Sequence, residues 1–163
     1  MTARPETPAD RDAIHAINES AFGQPDEADL VDRLRAEGVV LLSLVADLDS
    51  EIAGHILFTR MHVADIPAVA LAPVAVAPAH QRRGIGAALI RAGLDLLRDA
   101  GERIVLVVGH ADYYPRFGFS THPARNLESP FPPEAFMAME LVPGALDGVS
   151  GPVRYASAFG LDA

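Results

Sequence analysis

Between Ala68 and Ala100 the chain changes character twice, and no other stretch narrows its fold so far. An apolar run, Ala68 to Val76, leads into Pro78-Ala79-His80-Gln81-Arg82-Arg83-Gly84-Ile85-Gly86. That polar, glycine-bearing stretch opens a segment, Ala87 to Ala100, whose Leu89, Leu94, Leu96 and Leu97 give it an apolar side and which Gly101 stops. A β-branched run, Ile104 to Val108, comes next. Strand, loop, helix, strand in this order predicts a parallel pair joined by a right-handed crossover. The run Ala68 to Val76 does not alternate, so it is expected to be buried on both faces and central in its sheet.

The flanks complete the outline. Thr7-Pro8-Ala9-Asp10 has a capping residue, a proline suited to a first turn and an acidic variant of the capping box, so it opens a helix carrying Ile14, Ile17 and Ala21. A second helix is predicted from Glu27 to Glu37, with Leu30, Val31 and Leu34 on one face and Gly38 as terminator. Leu41 to Leu48 and Glu51 to Thr59 flank Asp49-Ser50 and read as an antiparallel hairpin. Downstream, Asp112 to Phe117 is a short helical turn, Gly118-Phe119 starts a strand, and Phe136 to Leu141 is the last strand after a proline-rich stretch. Helices and strands in this order give a mixed α+β sheet rather than a doubly wound one. A chain of 163 residues, half of them apolar, suits one domain over 1–163 with a core that needs no metal or cross-link.

Composition removes several functions. There is no cysteine, which excludes disulfides, thiolate zinc sites and a cysteine acyl-enzyme. A formal net charge of −9 disfavours nucleic acid and anionic lipid as partners, and mildly favours a cationic substrate. No apolar leader follows Met1, and the longest mostly apolar run, Val63 to Ala79, carries Asp65 and three prolines. A cytoplasmic protein is expected.

A glycine loop at the start of a helix is a place for an anion, because free N–H groups and the helix dipole point out of it. Four readings compete. A dinucleotide fingerprint needs a small residue where Leu89 stands and an acidic residue after the next strand, where Val107-Val108-Gly109 offers none. A Walker loop needs a Gly-Lys-Ser/Thr that this stretch lacks. A coenzyme A diphosphate cradle and a plain tight turn with solvated arginines both remain open.

Three segments in register then carry a resemblance. Gln81-Arg82-Arg83-Gly84-Ile85-Gly86 resembles the Q-x-x-G-x-G/A signature of the GNAT acetyltransferases. Leu71-Ala72-Pro73-Val74-Ala75-Val76 is similar to that family's cofactor-pairing strand, and Tyr113-Tyr114-Pro115-Arg116-Phe117-Gly118-Phe119 to its Tyr-x-x-x-Gly-Phe segment. The resemblance implies a sheet of six to seven strands, splayed at the middle and flanked by about four helices. It also implies acetyl-CoA as co-substrate, with no metal. Val74 and Val76 would pair with the pantetheine arm, beside Pro73 and Ala75. The amides of Arg82, Arg83, Gly84, Ile85 and Gly86 would hold the diphosphate, with Gln81 bracing the loop. His110, Tyr114 and Phe117 would complete the cofactor's surroundings. Pro73 supports this from its own chemistry, since a proline in a central strand belongs at a bulge or a break in pairing.

By the same resemblance Tyr114 is the general acid that protonates the departing sulfur, with Tyr113 as the neighbouring candidate. The general base is not identified: Leu71 to Val76 has no carboxylate, and His55, His62 and His110 are the candidates by residue type. The segment from Asn126 to Pro133 is expected to border the acceptor site, with Phe131 and Phe136 lining it or packing. The leading function is therefore transfer of an acetyl group to a primary amine of a small molecule or peptide, directly in a ternary complex. A non-catalytic acyl-CoA-binding regulatory module is the alternative. A tRNA-directed acetyltransferase ranks third, because it needs a basic footprint. The resemblance also admits a homodimer.

Overall fold

In a computed structural model, residues 1–161 are described. They form β1 (Thr2–Pro5), α1 (Arg11–Phe22), α2 (Asp26–Glu37), β2 (Val40–Leu48), β3 (Glu51–Val63), β4 (Ile66–Val76), α3 (Ile85–Asp99), β5 (Ile104–Val108), β6 (Leu127–Glu128), β7 (Phe136–Glu140) and β8 (Gly151–Arg154). The main sheet runs β1-β2-β3-β4-β5-β7, with β8 added beside the far end of β3 and β6 beside β8. The neighbours along the main path are antiparallel except β4 and β5, the parallel pair that α3 connects.

Each face of the sheet is buried by alternating side chains. Ile56, Phe58, Val69, Leu71, Val105 and Val107 meet Ile85, Leu89, Ile90, Leu94 and Leu97 of α3. The other face packs Val45 and Leu57 against Ile14, Val31 and Leu34 of the first two helices. Further along that face, Ala68, Ala70, Ile104, Leu106 and Phe136 lie under the segment that carries Ala124, Leu127, Ala145 and Leu146. Strand β4 is thus buried on both sides from Ala68 to Leu71, as expected; from Ala72 to Val76 burial alternates instead, with Ala72, Val74 and Val76 only half-buried where the parallel neighbour is lost. A fully buried Leu or Ile contributes roughly 1.5–3 kcal/mol, so the four α3 residues after Ile85 hold the helix firmly.

The sheet opens in its middle. β4 and β5 pair at Val69–Val105 and Ala70–Leu106. Past that point β4 continues beside β3 up to Gly54–Val76, while β5 continues beside β7 up to Val108–Phe136. The register between β3 and β4 shifts between the pairs Ile56–Val74 and Phe58–Leu71, so Pro73 stands in a bulge where no ladder donor is needed.

Several expectations change. Among the described residues there are eight strands rather than six or seven, and three α-helices rather than about four; single 3-10 turns stand where further helix was expected. Pro8–Asp10 is such a turn before α1: Asp10 accepts the Thr7 N–H at 2.7 Å, and the Arg4 guanidinium at 2.8 Å holds its carboxyl far below the usual range. Gly118-Phe119 starts no strand; only Ser120 bridges to Ala138. Phe136 to Leu141 is not the last strand, since β8 follows. The unforeseen strands are two to four residues long and take their form from pairing, not from pattern.

One buried polar chain ties α1 to the sheet. Asn18 donates to the Ile14 carbonyl at 3.0 Å and to His55 Nδ1 at 3.1 Å, so Nε2 carries the proton and donates to Ser43 Oγ at 2.9 Å. His55 is fully buried, and burial pulls its pKa from 6.5 down to about 4. The unfolded chain therefore binds the extra proton first. Stability from this site is complete above pH 6.5 and falls as pH drops towards 4, by at most about 3 kcal/mol. Urea titrations should show that fall between pH 6.5 and 5 in the parent and a flat profile in His55→Gln; equal slopes would refute the assignment.

A second prediction concerns α3. A methyl group at Gly93 would stand 2.3 Å from Cε2 of the fully buried Phe58 ring. Gly→Ala in a helix interior ordinarily gains up to about 1 kcal/mol. Here overpacking costs roughly 1–3 kcal/mol and should win. Gly93→Ala is expected to lower Tm by several degrees, and adding Phe58→Leu should recover part of the loss; a raised Tm would contradict this packing.

Candidate functional site

The loop between β4 and α3 combines three properties of an anion receptor. Arg82 (φ +66°) and Gly84 (φ +78°) both adopt the left-handed conformation. For a non-glycine residue this costs about 1–2 kcal/mol, an outlay that functional loops commonly carry. Among the described residues, the backbone N–H groups of Arg82, Arg83, Gly84, Ile85 and Gly86 have no protein acceptor, and the first bond of the helix is Ala88 N–H to the Gly84 carbonyl at 3.0 Å. The unbonded amides sit at the positive end of the 15-residue helix α3.

The loop is held from below. The Gln81 side-chain amide donates to the Val76 carbonyl at 3.1 Å, linking the loop to the last residue of β4. Gly54, paired with Val76, lets α3 come close: a Cβ there would lie 3.1 Å from both Ile85 Cγ2 and Leu89 Cδ1. The helix start is thus set against the end of β4, beside the open half of that strand.

A cavity of about 380 Å³ lies over the loop. It is lined by Val76, Gln81, Arg82, Gly84, Ile85 and Gly86, together with Ala87, Tyr113 and Arg116. A methyl group at Gly86 would stand 3.7 Å from both Tyr113 Oη and Val76 Cγ2, so glycine keeps the space between those walls clear. Of the residues expected at the site, this brings together the loop, Val76 and Tyr113. Arg83 is exposed on the same loop. Val74 stands half-buried on the open stretch of β4, and Pro73 and Ala75 are buried within it.

Tyr114 occupies a different place from Tyr113. Its ring lies against the backbone of Gly109, where a Cβ would come within 2.3 Å of Cε2, and it packs edge-on to Phe119 at 5.9 Å and to Tyr113 at 5.2 Å. It therefore sits at the end of β5, on the far side of the opening from β4. Burial, and secondarily Tyr113, raises its pKa, so it stays protonated at neutral pH. Phe117 is a core residue, 8% exposed, with Arg91 over its ring at 5.0 Å. His110 is exposed, and its carbonyl accepts the Tyr113 and Tyr114 N–H groups at 3.1 and 3.3 Å.

Two of the three histidines lose their standing as base candidates. His55 is sealed in the core with both ring nitrogens engaged. His62 pairs with Pro67 and Arg154, at the other end of β3 from Gly54 and Val76. Their residue type made them candidates; burial and strand position, which it does not encode, remove them. His110 remains.

The stretch expected to border an acceptor lies at the β5 end too. The Gly109 N–H donates to the Ala135 carbonyl at 3.0 Å. Leu127, Ser129, Phe131, Pro133, Glu134 and Phe136 line a separate cavity of about 490 Å³ with Thr121, His122, Ala124 and Arg125. Phe136 is buried, and Phe131 meets Tyr155 edge-on at 5.8 Å. The sequence reading missed Arg116; the only signal was an arginine in the Tyr-to-Phe segment, and its turn towards the loop is a tertiary fact.

Known proteins share this fold. The sequence model of the acetyltransferase (GNAT) family matches residues 11–119. The chain is 34% identical over 164 residues to the uncharacterised N-acetyltransferase YhbS of Escherichia coli strain K12, covering 98% of each protein. The crystal structure of Escherichia coli YhbS in complex with CoA superposes with a TM-score of 0.92 at 33% identity, over 98% of this chain and 91% of that one. A GNAT family acetyltransferase from Brucella melitensis, in complex with acetyl-CoA, has a TM-score of 0.83 at 36% identity, over 97% of each. With the sheet opened beyond Ala70 and the loop amides beside that opening, these matches establish that the chain belongs to the GNAT family of acetyltransferases.

Proposed function

We propose that this chain is an acetyl-CoA-dependent N-acetyltransferase that moves the acetyl group to a primary amine of a small molecule or peptide, directly in a ternary complex. The observation that carries the reading is the row of five unbonded amides, 82 to 86, at the start of α3 beside the unpaired edge of β4. Each amide can make a charge-assisted bond to a diphosphate oxygen. The left-handed residues Arg82 and Gly84 turn the chain within that row, and Gly86 leaves the room a phosphate needs. The open edge from Leu71 to Val76 offers backbone groups to an extended arm, in the manner of an added strand. The absence of cysteine disfavours an acyl-cysteine route and supports direct transfer.

When bound, acetyl-CoA supplies the acyl group as a thioester. The chain's residues do the rest. Backbone N–H groups of β4 near Val74 would polarise the carbonyl. Tyr114, kept neutral by burial, would give its hydroxyl proton to the sulfur as the carbon–sulfur bond breaks. His110, or a water relay, would take the proton that the amine loses on forming the new carbon–nitrogen bond. Tyr114 then recovers its proton from solvent. Tyr113, whose hydroxyl faces Gly86, would serve the binding of the diphosphate end rather than the chemistry.

One observation favours a second reading. With His55 buried, His62 remote and no carboxylate on the open stretch of β4, a non-catalytic acyl-CoA-binding module remains the alternative. Release of free coenzyme A in the presence of a panel of amines separates the two. For the enzyme, Tyr114→Phe should lower kcat roughly 10²–10⁴-fold with acetyl-CoA affinity nearly unchanged, whereas Tyr113→Phe should weaken affinity more than kcat. Gly109→Ala, which displaces the Tyr114 ring, should also depress kcat. Full activity in Tyr114→Phe would remove its role as acid; no thiol release with any amine would favour the binding module. Failure of coenzyme A to bind at millimolar concentration in calorimetry would remove both readings.

A further inference from the structure

The amides of the loop account for two phosphoryl groups, and coenzyme A carries a third, the monoester on its ribose. A cation from another segment, the turn after Tyr113, lines the same cavity. Arg116 is exposed but not free to wander: its Nε donates to the Tyr113 carbonyl at 2.9 Å, its Nη2 to the Asp112 carbonyl at 3.4 Å, and its guanidinium lies 4.5 Å from the centre of the Tyr113 ring. Those anchors leave Nη1 without a hydrogen-bond partner among the described residues. Ordering an arginine side chain costs conformational entropy, and these anchors meet much of that cost before any ligand arrives.

The surrounding charge points the same way. The chain has 22 acidic residues against 13 basic ones, and all 13 are arginine. Arg4, Arg11, Arg35, Arg60, Arg98 and Arg154 make ion pairs with carboxylates. Among the described residues seven make none although acids are in excess: Arg33, Arg103 and Arg125 stand on other segments, and the remaining four are Arg82, Arg83, Arg91 and Arg116. These four gather about the loop and the Tyr113–Phe117 aromatic pair, whose rings are 5.3 Å apart. A phosphate monoester is close to doubly charged at neutral pH and presents oxygens that suit a planar guanidinium fork.

We propose that Arg116 binds the ribose 3′-phosphate of coenzyme A and makes this protein discriminate coenzyme A from its 3′-dephospho form. The proposal rests on the coenzyme A reading above and adds a specificity residue to it. Arg82 and Arg83 belong to the loop and act on the diphosphate, which both ligands share. Arg116 comes from a separate segment lining the same cavity and acts on the group that only one of them has.

Calorimetric titration of coenzyme A and 3′-dephospho-coenzyme A into the parent, Arg116→Gln, Arg116→Lys and Arg83→Gln tests this without any acceptor amine. The parent should prefer coenzyme A by roughly ten- to a hundredfold, the range of a charge-assisted pair. Arg116→Gln should bind the two ligands equally, with its affinity for the dephospho form close to the parent's, which also reports an intact fold. Arg116→Lys should recover part of the preference, and Arg83→Gln should weaken both ligands by the same factor. A preference retained in Arg116→Gln, or lost in Arg83→Gln, or absent from the parent while coenzyme A still binds, overturns the proposal. If neither ligand binds the parent, the coenzyme A reading itself fails.

Discussion

Beyond Ala70 the fourth strand loses its parallel neighbour, and the rest of the site follows from that parting. A central strand of a buried sheet would ordinarily have both edges bonded. Here β4 keeps β3 on one side as far as Val76, while β5 turns away to pair with β7. Backbone donors and acceptors are left facing a gap, at the depth of the sheet and not at its rim. The bulge at Pro73 belongs to the same departure, because proline brings no donor to a ladder that is already changing register.

The helix that bridges the parallel pair converts this gap into a charged site. Because α3 must cross from β4 to β5, its N-terminus lies beside the end of β4, where its unbonded amides face outward. Packing holds it there: Ile85 and Leu89 rest on the bare backbone of Gly54, and Phe58 fills the notch at Gly93. Two glycines without side chains therefore set the height of the helix over the sheet. Another, Gly109, leaves room for the Tyr114 ring. Tyr113 is directed to the loop and Tyr114 to the end of β5, although they are adjacent in the chain.

The opposite face of the sheet is organised by a different force. Asn18, His55 and Ser43 form a hydrogen-bonded line through the core between α1, β3 and β2. Within this line Nδ1 of His55 accepts from Asn18 while Nε2 donates to Ser43, and this requires a neutral His55. The same requirement denies His55 to catalysis. The contrast with Tyr114 is instructive: both groups are desolvated, but burial holds the tyrosine in the form an acid needs, while it shuts the histidine away from any reactant.

Much of this was legible in residue order. The crossover from Ala68 to Val108, the β2–β3 hairpin and the two N-terminal helices follow from apolar periodicity and from glycine and proline as punctuation, which act over a few residues at a time. The anion loop was legible for the same reason, since Gln81 to Gly86 form one local turn. β1, β6 and β8 were not, because strands of two to four residues exist only through partners distant in sequence. Nor could the sequence separate Tyr113 from Tyr114, exclude His55 and His62, or bring Arg116 across to the loop. Side-chain chemistry is written in the chain, but which groups share a cavity and which are cut off from water is decided when separate strands and turns pack together.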